Sequence, residues 1–127
     1  MFKNALSFDD VLLSPQYSDI KSRSEIDLTR VIGKTKFSLP IISSPMDTVT
    51  ESEMASVMYD RGGLGVLHRY NTIEKQCDMV RDSELRVIAA AVGVSGDYEE
   101  RAWALYDSGV KIMCIDVAHG HHKLMKS

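Results

Sequence analysis

What this chain lacks narrows its possible roles. Its longest apolar run, Val87 to Val94, is far short of the about 20 residues that a membrane-spanning helix needs. Met1 to Asp10 does not read as a signal peptide. Basic charge is not in excess: 15 Lys and Arg stand against 18 Asp and Glu, a net charge of −3. That balance offers no electrostatic reason to bind nucleic acid or an anionic membrane. Cysteine is scarce, with only Cys77 and Cys114 and no CxxC spacing. Without an export signal, both are expected to be reduced and partly buried, in a cytoplasmic protein. The chain also lacks a GxGxxG dinucleotide fingerprint, a nucleophile elbow and a helical HxxxH metal pair.

The residues present suit one globular unit. A hydrophobic share of 44% beside 26% charged residues is enough for one core, and 127 residues argue against two domains. Residues 1–36 carry mixed signals, including the apolar patch Phe8 to Leu13 closed by Pro15 and a charged stretch from Lys21 to Arg30. They are expected to form an irregular arm over one end of the fold.

From residue 37 onward, strand and helix patterns alternate. Phe37 to Ser43 reads as a buried strand, and Thr50 to Asp60 as a helix capped by Thr50, with Met54, Val57 and Met58 inside. Leu64 to Leu67 is a second strand. Thr72 then caps a helix whose inner face carries Ile73, Cys77 and Val80. Leu85 to Val94 is apolar almost throughout, as a strand buried on both faces should be. Tyr98 to Ser108 is a third helix, with Ala102, Leu105 and Tyr106 inside and Gly109 as its stop. Val110 to Ile115 is a fourth strand, and a fourth helix is expected near Lys126.

Four successive βα units imply an α/β fold with a parallel sheet. Short connections, with polar residues at each strand's carboxyl end, favour the N-terminal half of a (β/α)8 barrel over a doubly wound sheet. A whole barrel needs about 200 residues or more. Residues 37–127 would therefore supply the first four units of a partial catalytic barrel domain spanning 1–127.

Chemistry is expected at the strand ends. Ser44 to Thr48 offers a hydroxyl for a phosphate or ribose and, in Met46, a polarizable surface for a flat base. The alternative is a helix cap with Met46 in the core. His68-Arg69-Tyr70-Asn71 is either a contact for an anionic or stacked ligand or a solvated loop. Asp116, directly after an apolar strand, is well placed for ribose hydroxyls. His119, His121 and His122 near it lack metal-ligand spacing, so no metal is expected. No catalytic triad is assembled.

Five blocks resemble, in order, the inosine-monophosphate dehydrogenase and guanosine-monophosphate reductase family. They are Leu6 to Leu13, Ser43 to Glu51, Gly62 to His68, Ala89 to Val94 and Ile115 to His121. The resemblance implies a (β/α)8 barrel that binds a purine nucleoside monophosphate at its carboxyl face, with NAD beside it. It assigns Ser44 and Met46 to the nucleotide, and Asp116, Ala118 and Arg69 to the cofactor, with Asp116 on the nicotinamide-side ribose. Asp47 shapes the loop.

The form Ser-Ser-Pro-Met-Asp-Thr-Val-Thr-Glu is that of the dehydrogenases, whereas Lys21 to Ser24 and Asp116-Val117-Ala118 are reductase-like. The favoured activity is oxidation of inosine monophosphate to xanthosine monophosphate in guanine nucleotide synthesis. The alternatives are the NADPH-dependent reductase and a non-catalytic half-barrel. The interval from His68 to Ala89 has no room for regulatory modules inserted there.

The family's catalytic cysteine loop, its potassium site, its glycine-rich phosphate loops and its flap all match nothing in these residues. The chain is thus expected to be the N-terminal part of a longer, homotetrameric enzyme, to hold no catalytic residue and to be inactive alone.

Overall fold

The computed structural model describes residues 4–126. Met1, Phe2, Lys3 and Ser127, which fall in the expected arm and last unit, lie outside the described residues. Among the described residues, six strands and three α-helices follow one another in the order β1 (Arg30–Ile32), β2 (Thr35–Phe37), β3 (Ile42–Ser43), α1 (Ser52–Asp60), β4 (Leu64–Leu67), α2 (Ile73–Asp82), β5 (Ala89–Val92), α3 (Tyr98–Asp107) and β6 (Ile112–Ile115). The strands β3-β4-β5-β6 form one parallel sheet in sequence order. A doubly wound sheet reverses its strand order at a switch point, whereas a barrel advances one strand at a time. The observed order is the barrel's.

Each face of the sheet has its own core. On one face Leu67, Ala90 and Val92 pack with Ala55 of α1, Cys77, Met79 and Val80 of α2, and Leu105 of α3. Leu64, Val66, Ala89 and Ala91 point the other way and meet Phe37. This is the alternation of a strand buried on both sides. Gly65 brings α1 close, because a Cβ there would lie 2.5 Å from Ala55 Cα. The helix therefore docks through Ala55, and Met54 and Val57, expected inside, are exposed. Tyr106, also expected inside, stands on the outer face of α3 edge-to-face with Trp103.

The first thirty-seven residues depart most from expectation. An antiparallel hairpin pairs Arg30 with Phe37 and Ile32 with Thr35 around Gly33, whose φ of +59° suits the first position of a type II′ turn. The expected strand from Phe37 is therefore only Ile42–Ser43, and Phe37 instead ends β2 as the buried plug of the sheet's second face. Hairpin residues Ile32 to Thr35 border Arg86, Val87 and Lys111, at the amino ends of β5 and β6. The described residues before the hairpin leave their large apolar side chains uncovered: Phe8, Leu12 and Leu13 are at least 96% exposed.

Other strands are shorter than the apolar runs that encode them, with β5 confined to Ala89–Val92 and β6 to Ile112–Ile115. The fourth helix expected near Lys126 is a single 3-10 turn, Lys123–Lys126. Two local readings hold: Thr72 caps α2 by accepting from the Lys75 amide at 3.2 Å, and Gly109 (φ +103°) ends α3.

Candidate functional site

Every site residue proposed from the sequence lies at the carboxyl edge of the parallel sheet. Ser44 and Met46 follow β3, Arg69 follows β4, and Asp116 and Ala118 follow β6. The loop after β3 is built from its own backbone. Met46 donates its amide to the Ser44 carbonyl at 2.8 Å, and the Val49 and Thr50 amides donate to the Met46 carbonyl at 3.0 and 2.9 Å.

Thr50 does not cap α1. It is buried, donating its hydroxyl to the Ser44 carbonyl at 2.6 Å with Ser43 Oγ 2.9 Å away, and the capping position falls to Glu51. Met46 is 50% exposed and is not a core residue. No Ser or Thr of the loop caps α1 either, so the helix-cap alternative fails on both counts, and Ser44 and Met46 stand exposed.

The four residues after β4 split into separate roles. His68 is buried, and its Nδ1 accepts the Tyr70 amide at 3.2 Å. Its proton is therefore on Nε2, which donates to Glu51 Oε1 at 3.2 Å. The His68 amide also donates to the Thr50 carbonyl at 3.4 Å, so this residue ties β4 to the loop after β3. Arg69 turns the opposite way along the sheet. Its Nε donates to Asp116 Oδ2 at 3.3 Å and its Nη2 to the Asp116 carbonyl at 3.1 Å. Tyr70 is exposed, with its ring 5.7 Å from the Arg69 guanidinium carbon.

A buried network supports this rim, and the sequence reading missed it. Gln76 of α2 donates to the Ala91 carbonyl of β5 at 2.9 Å and accepts from Arg101 Nη1 at 2.7 Å. Arg101, buried on α3, also donates to the Asn71 carbonyl at 2.9 Å and to Asp97 Oδ2 at 2.6 Å. The Arg101 guanidinium holds the Asp97 carboxyl below its ordinary range, chiefly through that hydrogen bond. The i,i+4 spacing of Asp97 and Arg101 was the available signal. Gln76, beside Cys77 on the apolar face of α2, gave none.

Neither cysteine is poised as a thiolate. Cys77 is buried in α2, and burial, with Asp116 adding its charge, pushes the Cys114 thiol up. His119, His121 and His122 are exposed, and among the described residues no group of three metal-ligating side chains is placed to hold an ion. A cleft of about 660 Å³ lies beyond the Ser44 loop against Asp47, Glu51 and Glu53, a lining of carboxylates that repels a phosphate. Among the described residues no helix is long and apolar enough to cross a membrane.

Strand order and a polar carboxyl rim define this chain as part of a (β/α)8 barrel with its ligand edge at the strand ends. Residues 5–127 match the model of the IMP dehydrogenase / GMP reductase domain, and the chain belongs to that family. It is 51% identical over 80 residues to inosine-5'-monophosphate dehydrogenase of Nitrosopumilus maritimus, covering 62% of this chain and 17% of that protein. It is 36% identical over 120 residues to GMP reductase of Leishmania donovani, covering 87% of this chain and 24% of that protein. Among solved structures, the inosine 5' monophosphate dehydrogenase of Legionella pneumophila superposes with a TM-score of 0.82 at 41% identity, over 95% of this chain and 38% of that one. The chain thus spans about a fifth of the length of the curated relatives it matches.

Proposed function

We propose that this chain is part of an inosine-monophosphate dehydrogenase and contributes walls of its nucleotide and NAD subsites. Ser44 would hydrogen-bond the nucleotide and Met46 would lie against its base. Asp116 would accept hydrogen bonds from the nicotinamide-side ribose, with Ala118 and Arg69 flanking the dinucleotide. The observation that carries the reading is the Ser44–Asp47 loop. Its Ser and Met are exposed on the same rim as a partly exposed carboxylate, in a chain of this family.

The donor chemistry fits a dinucleotide. A carboxylate accepts the two hydroxyls of a ribose diol, and Asp116 is 29% exposed at the end of a strand whose amide bonds with β5 hold its backbone still. Bound NAD would accept the hydride from the purine. This chain's own residues would orient the two partners and offer no nucleophile. A thiol attacks as thiolate, and Cys114 is pushed away from that state while Cys77 is shut inside α2. The cysteine nucleophile and the potassium site belong, on this reading, to other parts of the protein, which acts in the cytoplasm as a homotetramer. Exposed Phe8, Leu12, Leu13 and Tyr17 suit burial between subunits.

The deciding experiment assays the full-length protein for NAD reduction with inosine monophosphate and for NADPH oxidation with guanosine monophosphate. Activity in the first supports the proposal, and activity only in the second assigns the reductase instead. The Leishmania reductase, similar over 87% of this chain, makes the second assay necessary.

A further inference from the structure

We propose that Arg69 is a positioning residue that presents the Asp116 carboxylate to a ribose diol, and that Gly93 gives it the clearance to do so. This rests on the ribose reading of Asp116. Arg69 and Asp116 follow β4 and β6, and β5 lies between them. To connect them, the guanidinium crosses the end of β5 over Gly93, where a Cβ would sit 3.3 Å from Nη1. A Cβ at residue 93 would crowd the guanidinium, which would have to give by a few tenths of an ångström.

The fork holds Asp116 at two points. Nε takes Oδ2 at 3.3 Å, which orients the carboxylate, and Nη2 takes the main-chain carbonyl at 3.1 Å, which fixes the turn out of β6. Among the described residues Oδ1 accepts no hydrogen bond, so one carboxylate oxygen is left for a ribose hydroxyl. The cation also offsets the carboxylate's charge, which would otherwise repel a dinucleotide's diphosphate. Arg69 is held in turn by its own loop, where Arg101 bonds the Asn71 carbonyl at 2.9 Å. Two of its five N–H donors are committed to Asp116, which seats the guanidinium against that residue.

The pair is partly exposed, with side chains at 34% and 29%, so it adds little to folding and its effect should appear in ligand affinity. Titration calorimetry on the full-length protein, with NAD and separately with inosine monophosphate, tests this in Arg69→Ala, Arg69→Lys, Gly93→Ala, Asp116→Asn and the Arg69→Ala/Asp116→Asn double variant. Losing hydrogen bonds to a charged group should weaken NAD about tenfold in Arg69→Ala. Arg69→Lys should do nearly as badly, since a lysine keeps the charge and loses the fork. Gly93→Ala should weaken NAD severalfold. Inosine-monophosphate affinity and the melting temperature should stay at wild-type values.

The double variant should bind NAD no more weakly than Asp116→Asn alone, because Arg69 acts through Asp116. Unchanged NAD affinity in Arg69→Ala, with Asp116→Asn impaired, overturns the inference and leaves the ribose reading intact. Losses that multiply in the double variant also overturn it, making Arg69 a direct ligand contact. Unchanged NAD affinity in Asp116→Asn removes the ribose reading itself.

Discussion

Within this part of the barrel, the two middle strands and the two flanking them, whose free sides further strands would pair in a whole barrel, end in different groups. Every residue of β4 and β5 is buried, while Ile42 of β3 and Met113 and Ile115 of β6 stand 54%, 39% and 45% exposed. The proposed ligand groups follow the outer strands, with Ser44 and Met46 on one side and Asp116 and Ala118 on the other. The central strands end instead in braces. His68 reaches toward the β3 loop, Arg69 reaches toward Asp116, and the Ala91 carbonyl anchors Gln76. A polar residue at a strand end is therefore not by that fact a ligand contact. In the middle of this sheet such residues hold the edge groups in position.

The contrast can be broken most forcefully in the core. In the 127-residue chain by itself, Leu67→Ala on β4 should cost about 2–5 kcal/mol in chemical denaturation, whereas Ile115→Ala, 45% exposed there, should cost under about 1 kcal/mol. Similar losses at both would show that the outer strand is as well packed as the inner. Next comes Arg101→Ala, which strips partners from Gln76 and the Asn71 carbonyl and should destabilise by about 1–3 kcal/mol in the same measurement. A loss near zero would mean that water replaces the network. His68→Ala should then weaken nucleotide binding severalfold by freeing the Ser44 loop, read by calorimetry with inosine monophosphate. An unchanged affinity would make that brace irrelevant to the loop.

The smallest effect is in pH dependence. Arg101 lowers the folded-state pKa of Asp97 below its unfolded value, so the stabilisation is complete above the unfolded value. It is lost as pH falls through the depressed folded value, below roughly pH 4. Asp97→Asn should flatten the acid limb of melting temperature against pH, and an unaltered limb would place the acid sensitivity elsewhere.

The order of βα units was legible because it is written in local signals: apolar runs, Thr72 as a cap and Gly109 as a stop. Strand ends were not, since Phe37, Leu85, Val87 and Ile88 are apolar for packing into the two cores and not for pairing within the parallel sheet. The hairpin around Gly33 was missed because Arg30 to Phe37 lacks the strict alternation that announces a strand. The outward turn of Met54 and Val57 follows from the close approach at Gly65, on another element. Of the site, the rim positions of Ser44, Met46, Arg69 and Asp116 were readable as polar groups after apolar strands. That Arg69 bonds Asp116, forty-seven residues along the chain, was not, because only the tertiary fold brings them together.

His68 and Arg69 are consecutive, and one serves the neighbour on the left of β4 while the other serves the neighbours on its right. Both stand just past the end of β4, so adding or removing one residue directly after Leu67 would displace each by about 3.8 Å of chain, beyond the reach of its present hydrogen bonds. The imidazole would lose Glu51 and the guanidinium would lose Asp116 in a single step. This stretch should therefore accept conservative replacements far more readily than a change in length, and a one-codon insertion there would disconnect both halves of the rim at once.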